Sequence, residues 1–352
     1  MKRILLIIAY SVLSLIIVLA GLVLWLTITD YRPADLENAE IINNLPDSHT
    51  PESLTILNWN VGYGGLGEKM DFFMDGGTGV RAPEADYLEN WNGIEDFLGK
   101  TRADVYFFQE MDRESTRSYK NDQFFTVGNL LKGINMTFAP NYKVKYIPSP
   151  TIVGTQYGSV HSGLATLSRY PFVKSERYAL PGNYLWPKSV FFLDRCLLVS
   201  TITGPENSEI VFINAHLSAY DAGGFLKKDQ LVYLKELAER EFKKGKYVII
   251  GGDWNSYMPG TDERTFSGTE EAPDFYRPLP ADWKMEGWTW GADSNVPSNR
   301  SLAAPYKMGE TFTTVIDGFL LSPNIKLKSV ETFNLGFEHS DHNPILLEVL
   351  LD

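Results

Sequence analysis

YVIIGGDWNS, residues 247–256, passes from four apolar or aromatic residues through a glycine pair to an acid, a tryptophan and an amide. The apolar, β-branched start reads as a buried strand. A core strand has no physical reason to end in a carboxylate, because an unpaired charge is costly to bury. The same change from apolar to polar recurs along the chain. Leu54–Asn60 ends in Asn58-Trp59-Asn60, and Val105–Gln109 runs into Glu110. Ile210–Asn214 runs into His216, Val315–Leu321 contains Asp317-Gly318, and Ser340-Asp341-His342-Asn343 precedes Ile345–Leu350. Gly163–Leu167 and Val190–Ile202 add two more candidate strands. Helical spacing appears twice, in Tyr87, Trp91, Ile94 and Leu98 before Gly99 and in Leu231, Leu234, Ala238 and Phe242 before Gly245. Many strands, few helices and no compositional break predict one domain of packed sheets with helices outside.

If the six polar ends converge, they form a cup of oxygen ligands flanked by two histidines. Such a cup suits Mg²⁺, with Mn²⁺ or Ca²⁺ as alternatives. Zinc fits poorly, since no HExxH occurs and Cys196 is the only cysteine. A hard cation beside two imidazoles is equipment for phosphoryl chemistry. Each cluster alone also has a bland reading. Asp317-Gly318 is an ordinary turn, Asp253-Trp254-Asn255 a cap or loop, and His216 a structural histidine. The weight lies in their joint order.

That ordered set, LNWNVG, QEMD, NAHLS, GGDWNS, VIDGF and HSDHNP, resembles the signature series of the endonuclease/exonuclease/phosphatase superfamily, which includes DNase I and the neutral sphingomyelinases. The run Ser162–Pro171 resembles the central strand of that family. The resemblance implies a four-layered α/β sandwich of two mostly antiparallel sheets flanked by helices. It also implies roles. Glu110 would be the main metal ligand, with Asn60 and Asp341 at the same ion. Asp253 would activate or orient the attacking water, alone or with a second metal, and Asn255 would hold a phosphate oxygen. His342, oriented by Asp317, would bind the phosphate and move a proton. His216 would be the general acid. Arg195 would contact phosphate, or else pair with Asp194 or another neighbour. No carboxylate partner for His216 can be picked out.

The N-terminus carries a different signal. Ile4–Thr29 holds 26 consecutive uncharged, mostly apolar residues, enough to cross a bilayer as a helix. Lys2 and Arg3 precede the run and Asp30, Asp35 and Glu37 follow it, which predicts a cytoplasmic N-terminus and an extracytoplasmic domain. A cleaved signal peptide is the alternative, but its apolar region is usually about 7–15 residues long. Residues 30–52, with Pro33, Pro46 and Pro51, read as a solvated linker, which leaves 53–352 as the catalytic domain. The glycine-rich stretches Gly62–Gly67 and Gly76–Gly79 match no nucleotide fingerprint and predict a mobile loop near the site.

Net charge is −12 for the chain, and residues beyond 29 hold 30 basic against 44 acidic side chains. Nonspecific grip on nucleic acid needs a basic footprint, so the balance disfavours a general nuclease. The region Gly309–Gly318 lacks the Pro-Ser-Trp-Cys-Asp-Arg-type run of inositol 5-phosphatases. A membrane-tethered, sphingomyelinase-like phospholipid diesterase is the first expectation and an extracytoplasmic nuclease the second. A catalytically inactive module that binds a phosphorylated ligand is an alternative of another class, as is a metal-stabilised structural domain. Leu180–Pro187 either lies against a bilayer or is a buried loop between strands.

Overall fold

A computed structural model describes the chain apart from residues 1, 46–49, 151–152, 183, 220–224, 267, 284 and 352. Pro46 and Asp47 of the expected linker and Asn183 of the 180–187 loop lie outside the described residues. Two seven-stranded sheets face each other. The first runs β17 (Ile325–Thr332), β18 (Ile345–Leu351), β3 (Ser53–Asn60), β4 (Val105–Asp112), β6 (Gly158–Ser168), β5 (Asn135–Ile147), β2 (Glu40–Ile42). The second runs β1 (Leu36–Asn38), β7 (Phe172–Ala179), β8 (Cys196–Thr203), β9 (Glu209–His216), β10 (Tyr247–Asp253), β16 (Asp317–Leu321), β13 (Thr289–Gly291). Two ribbons complete the strands: β11 (Ser256–Tyr257) with β12 (Arg277–Pro278), and β14 (Asn299–Arg300) with β15 (Thr313–Thr314).

Neighbours within each large sheet are antiparallel with one exception per sheet, β3 with β4 and β9 with β10. Parallel neighbours need a crossover. Helix α2 (Glu84–Lys100) lies in the first crossover and α4 (Phe225–Phe242) in the second. Each covers the outer face of its own sheet, with α3 (Gln123–Leu130) beside α2. The result is four layers, as the resemblance implies.

Strand alternation explains how the core is shared. Leu54 and Ile56 of β3 pack between the sheets, while Leu57 and Trp59 pack under the helices. Phe212 and Ile249 face inward from the second sheet, while Ile213 and Ile250 face α4. A polar tie crosses the interior, where Gln109 Nε2 donates to Asn58 Oδ1 at 2.9 Å and to Asn214 Oδ1 at 2.7 Å. The amides that begin three of the polar clusters therefore join the two sheets.

Several expectations need correction. Residues 36–38 and 40–42, inside the expected linker, are strands that pair with β7 and β5, so this segment is not a free spacer. Proline density flagged it as extended, and extended backbone also suits a sheet edge. The run Val190–Ile202 is a strand only from Cys196, because Lys188–Phe191 forms a 3₁₀ turn. The glycine-rich loop does lie near the site, but it is pinned. Buried Arg300 donates through Nη2 to the carbonyls of Leu66 (3.1 Å), Gly67 (2.8 Å) and Met70 (2.9 Å). Strands β5, β7 and β17 were not anticipated, and Pro140 and Asn141 interrupt the pattern of the longest of them.

Helix α1 (Lys2–Ile28) is long and apolar enough to cross a membrane, with a mean hydropathy of 2.8 over its most apolar 18 residues. Its position near the N-terminus is one that a signal sequence would share.

Candidate active site

The inter-sheet faces end together at one edge of the sandwich. On β3 the inward positions 54, 56 and 58 lead to Asn60, and on β9 positions 210, 212 and 214 lead to His216. Inward positions 249 and 251 of β10 lead to Asp253, while β16 begins at Asp317, in phase with inward Phe319 and Leu321. A period of two thus aims four of the expected site residues into the same space.

Glu110 does not follow this period. Val105, Phe107 and Gln109 face inward, so a regular β4 would point Glu110 outward toward the helices. Instead its φ is +54°, and the pairing of β4 with β6 slips between Phe108 and Met111. The bulge turns Glu110 into the cup, and Met111 then packs with the helical side. A bulge that re-aims a side chain beside a cleft is a functional signature, as is left-handed backbone at a non-glycine residue. Asn255, just past β10, also has positive φ, at +47°. Gly252 explains the glycine pair. At φ +146°, a Cβ there would stand 1.9 Å from the Ala215 carbonyl of the parallel strand.

Asp253 sits at the centre. Asn60 Nδ2 donates to Asp253 Oδ2 (3.1 Å) and to Glu110 Oε1 (3.3 Å), and Asp253 Oδ1 accepts the Asn255 backbone N–H (2.8 Å). His216 Nε2 and His342 Nε2 lie 3.5 and 3.7 Å from Asp253 Oδ2. His342 Nδ1 donates to Asp317 Oδ2 (2.8 Å), which also accepts Ser298 Oγ–H (2.7 Å). Asp341 Oδ2 is 3.9 Å from His342 Nε2. Asn255 turns its side-chain amide to the Leu217 carbonyl, and Arg195 Nη1 donates to the His216 carbonyl (3.0 Å). All nine expected residues therefore gather at one end of the sandwich.

The charges differ sharply. Burial alone would depress His342, but Asp317 and Asp341 outweigh it and raise the ring to about 10. His216 is held well below the usual range by burial, reinforced by Arg195 and His342, and its Nδ1 has no hydrogen-bond partner among the described residues. Burial, opposed by His342 and reinforced by Asp317, raises Asp253 to about 6. Asp341 rises to about 7 through burial, with His342 opposing and Glu110 reinforcing. Two crowded, buried acids of this kind would be relieved by a cation. The donors are hard oxygens, so the set fits a divalent metal of the Mg²⁺ class.

Sequence reading missed Asn299. Its Nδ2 lies 2.9 Å from His342 Nε2, and Tyr276 OH reaches its Oδ1 at 2.5 Å. A charged His342 carries hydrogens on both ring nitrogens, so the amide must then present its oxygen to Nε2, with the Tyr276 hydroxyl accepting instead. Asn60 likewise faces the acids with its NH₂, because its Oδ1 accepts the Gly62 N–H (3.0 Å). The Asn60 amide must turn over to offer a metal its oxygen. Arg117 was also missed. Fully buried, it pairs with Asp112 at 2.9 Å and lies 3.6 Å from the centre of the Tyr63 ring.

The cup opens into a cleft of about 1300 Å³ including its mouth, walled by Tyr63, Phe72, Tyr142, Tyr157, Tyr184 and Phe192. In overall shape the chain is similar to an endonuclease/exonuclease/phosphatase protein from Beutenbergia cavernae (TM-score 0.57, 16% identity, covering 86% of this chain and 72% of that one). It is also similar to the human Nocturnin catalytic domain (TM-score 0.53, 15% identity, 89% and 97%). A third similar structure is D. rerio TDP2 complexed with single strand DNA product (TM-score 0.50, 16% identity, 85% and 99%). At these identities the likeness shows the fold. No curated protein sequence matches the chain. The model of the endonuclease/exonuclease/phosphatase family matches residues 57–342, most of the chain, which therefore belongs to that family of phosphoester hydrolases, generally dependent on a divalent metal.

Proposed function

We propose that the protein is a membrane-tethered hydrolase of phospholipid-type phosphodiesters. The observation that carries this reading is the cleft wall. It is largely aromatic, and of the three arginines among its described lining residues two are committed to the protein itself. Arg117 is paired with Asp112, and Arg300 holds the loop carbonyls. Arg195, which also donates to the His216 carbonyl, is the third, and the described lining residues hold no track of cations for a nucleic-acid backbone.

Glu110 and Asp341, with Asn60 turned over, would hold the cation. Asp253, Asp317 and His342 also place ligand atoms within 4.8 Å of one another. That closeness is the Asp317–His342 hydrogen bond itself, which a cation there would break. A bound Mg²⁺, or Mn²⁺ or Ca²⁺ in its place, supplies charge neutralisation at phosphate oxygens. The chain's own groups do the rest. Asp253 accepts a proton from the attacking water, and charged His342 shifts its Nε2–H from the Asn299 amide oxygen to a phosphate oxygen. Asn255 supports the phosphate from below. Among the described residues no carboxylate reaches His216 Nδ1, and the nearby Asp253 is itself pushed toward neutrality. An anionic phosphate seated against His216 and Arg195 supplies the missing negative charge and lets His216 act as the acid.

The second reading is a tethered nuclease. Aromatic walls also stack bases, and the TDP2 structure above carries a DNA product. The full chain in mild detergent with Mg²⁺ decides between them when assayed on sphingomyelin, phosphatidylinositol phosphates, plasmid DNA and a chromogenic phosphodiester. Lipid and chromogenic diesters should turn over, and Glu110→Ala should abolish the metal-stimulated part. Preference for DNA would overturn the lipid reading. Topology is proposed as N-terminus in the cytoplasm and domain outside, on the Lys2–Arg3 flank. A C-terminal reporter active only in the cytoplasm would refute it.

A further inference from the structure

The last turn of α1 is docked, although most of the helix is bare. Leu26 is 2% exposed, whereas apolar residues from Ile4 to Leu24 stand open. Trp186 Nε1 donates to Thr27 Oγ1 at 3.0 Å, and Arg32 Nη2 to the Thr27 carbonyl at 3.1 Å. The chain then enters β1 at Leu36, and the Ala179 N–H donates to the Asp35 carbonyl at 2.8 Å. Seven residues separate helix from sheet, and they are tied at both ends.

The segment that meets the helix is also the rim of the cleft. Tyr184 and Phe192 line the cleft with ring centres 4.6 Å apart, and Lys188 Nζ lies 4.1 Å from the Tyr184 ring centre. On its outer side the same rim exposes Leu185 (87%) and Trp186 (62%). Across the mouth, Leu226 lines the cleft and the neighbouring Phe225 stands exposed at the start of α4. Two large apolar side chains at the foot of a membrane-length helix suit the bilayer interface, where tryptophan is enriched.

We infer that residues 184–193 form an interfacial rim. Leu185 and Trp186 dip into the leaflet that α1 leaves, and the cleft mouth opens onto the headgroups of that leaflet. The occupant is the lipid surface itself, because the rim is continuous with the foot of α1. Helix, rim and mouth adjoin one another, and the short tie does not let the domain swing away. The inference rests on the phospholipid reading only for what enters the cleft.

The test uses the full chain reconstituted in phosphatidylcholine vesicles with brominated acyl chains. Bromolipid should quench an emission component that is present in the wild type and missing from Trp186→Phe. That difference isolates Trp186 from Trp25 in the helix. In the double variant Leu185→Asp, Trp186→Asp, hydrolysis of vesicle lipid should fall at least ten-fold, with turnover of a soluble chromogenic diester unchanged. Identical quenching in wild type and Trp186→Phe would overturn the rim. Equal loss on both substrates would also overturn it, since the loop then only shapes the cleft. Shielding of Trp186 that depends on protein concentration and not on bromolipid would assign the patch to a second copy and overturn it too. Trp186-specific quenching without any lipid hydrolysis would keep the rim and remove the phospholipid reading.

Discussion

His342 and His216 flank the same carboxylate, yet the protein treats them in opposite ways. His342 is gripped by Asp317, which is itself steadied by Ser298, and faces Asp341, so its ring is charged over the whole neutral range. His216 ends a strand, buried and with Arg195 close by, its Nδ1 unpartnered among the described residues, which favours the neutral ring. A pre-charged imidazole can clamp an anion before any reaction begins. A neutral one must first acquire a reason to hold a proton. In the proposed mechanism this difference gives binding to one ring and a substrate-dependent proton to the other.

The largest expected effect comes from removing the clamp. His342→Ala should lower kcat/KM about 1,000- to 10,000-fold, alike for alkoxide-type and nitrophenolate leaving groups. Steady-state kinetics on a matched pair of diesters checks this, and a loss confined to one leaving group would break the assignment. Asp317→Asn should cost about 100-fold and add almost nothing in a His342→Ala background, since the two act as one unit. Additive losses in that double-mutant cycle would mean Asp317 acts independently of the ring. His216→Ala should slow the alkoxide-type substrate by about 100-fold and the nitrophenolate by less than about three-fold, because a good leaving group departs unprotonated. Equal sensitivity would take His216 out of the acid role.

The smallest effect concerns a histidine outside the cup, which serves as a reference. Burial, then Lys143 and Arg113, lower His161 to about 4. The unfolded ring takes up its proton near pH 6.5 and the folded ring only near 4. Its stabilising contribution is therefore complete above about pH 6.5 and is lost as pH falls through that window. Urea titrations from pH 7 to 4 should show a shallower decline for His161→Gln than for the wild type. Parallel curves would show that burial of a neutral ring alone carries no such cost here, and would weaken the same argument for His216.

Most of the cup was legible because strand period does simple work. Asn60, His216, Asp253 and Asp317 sit in phase with apolar inward residues, so apolar-to-polar ends in sequence became one place in space. Glu110 also reaches the cup, but its route was not legible. A left-handed residue and a register slip leave no mark in VYFFQEMD. Asn299 was invisible for a related reason, since it lies on a two-residue strand with no hydrophobic pattern around it. The tie between sheets was not legible, because Asn58, Gln109 and Asn214 share the alphabet of the cup residues that follow them. The linker was misread because three-residue strands carry too little sequence to show a period.

Those two short strands have a practical consequence. β1 caps the open edge of one sheet and β2 the open edge of the other, so a single stretch of seven residues staples both. A soluble fragment that starts at residue 53 would uncover β7 and β5 as raw edges, inviting chains to pair with one another. One that starts near residue 30 would shed the greasy helix and keep the staple. On the proposed membrane-tethered reading, α1 is thus less a leash than a handle: whatever tilts it in a bilayer pulls directly on both halves of the enzyme.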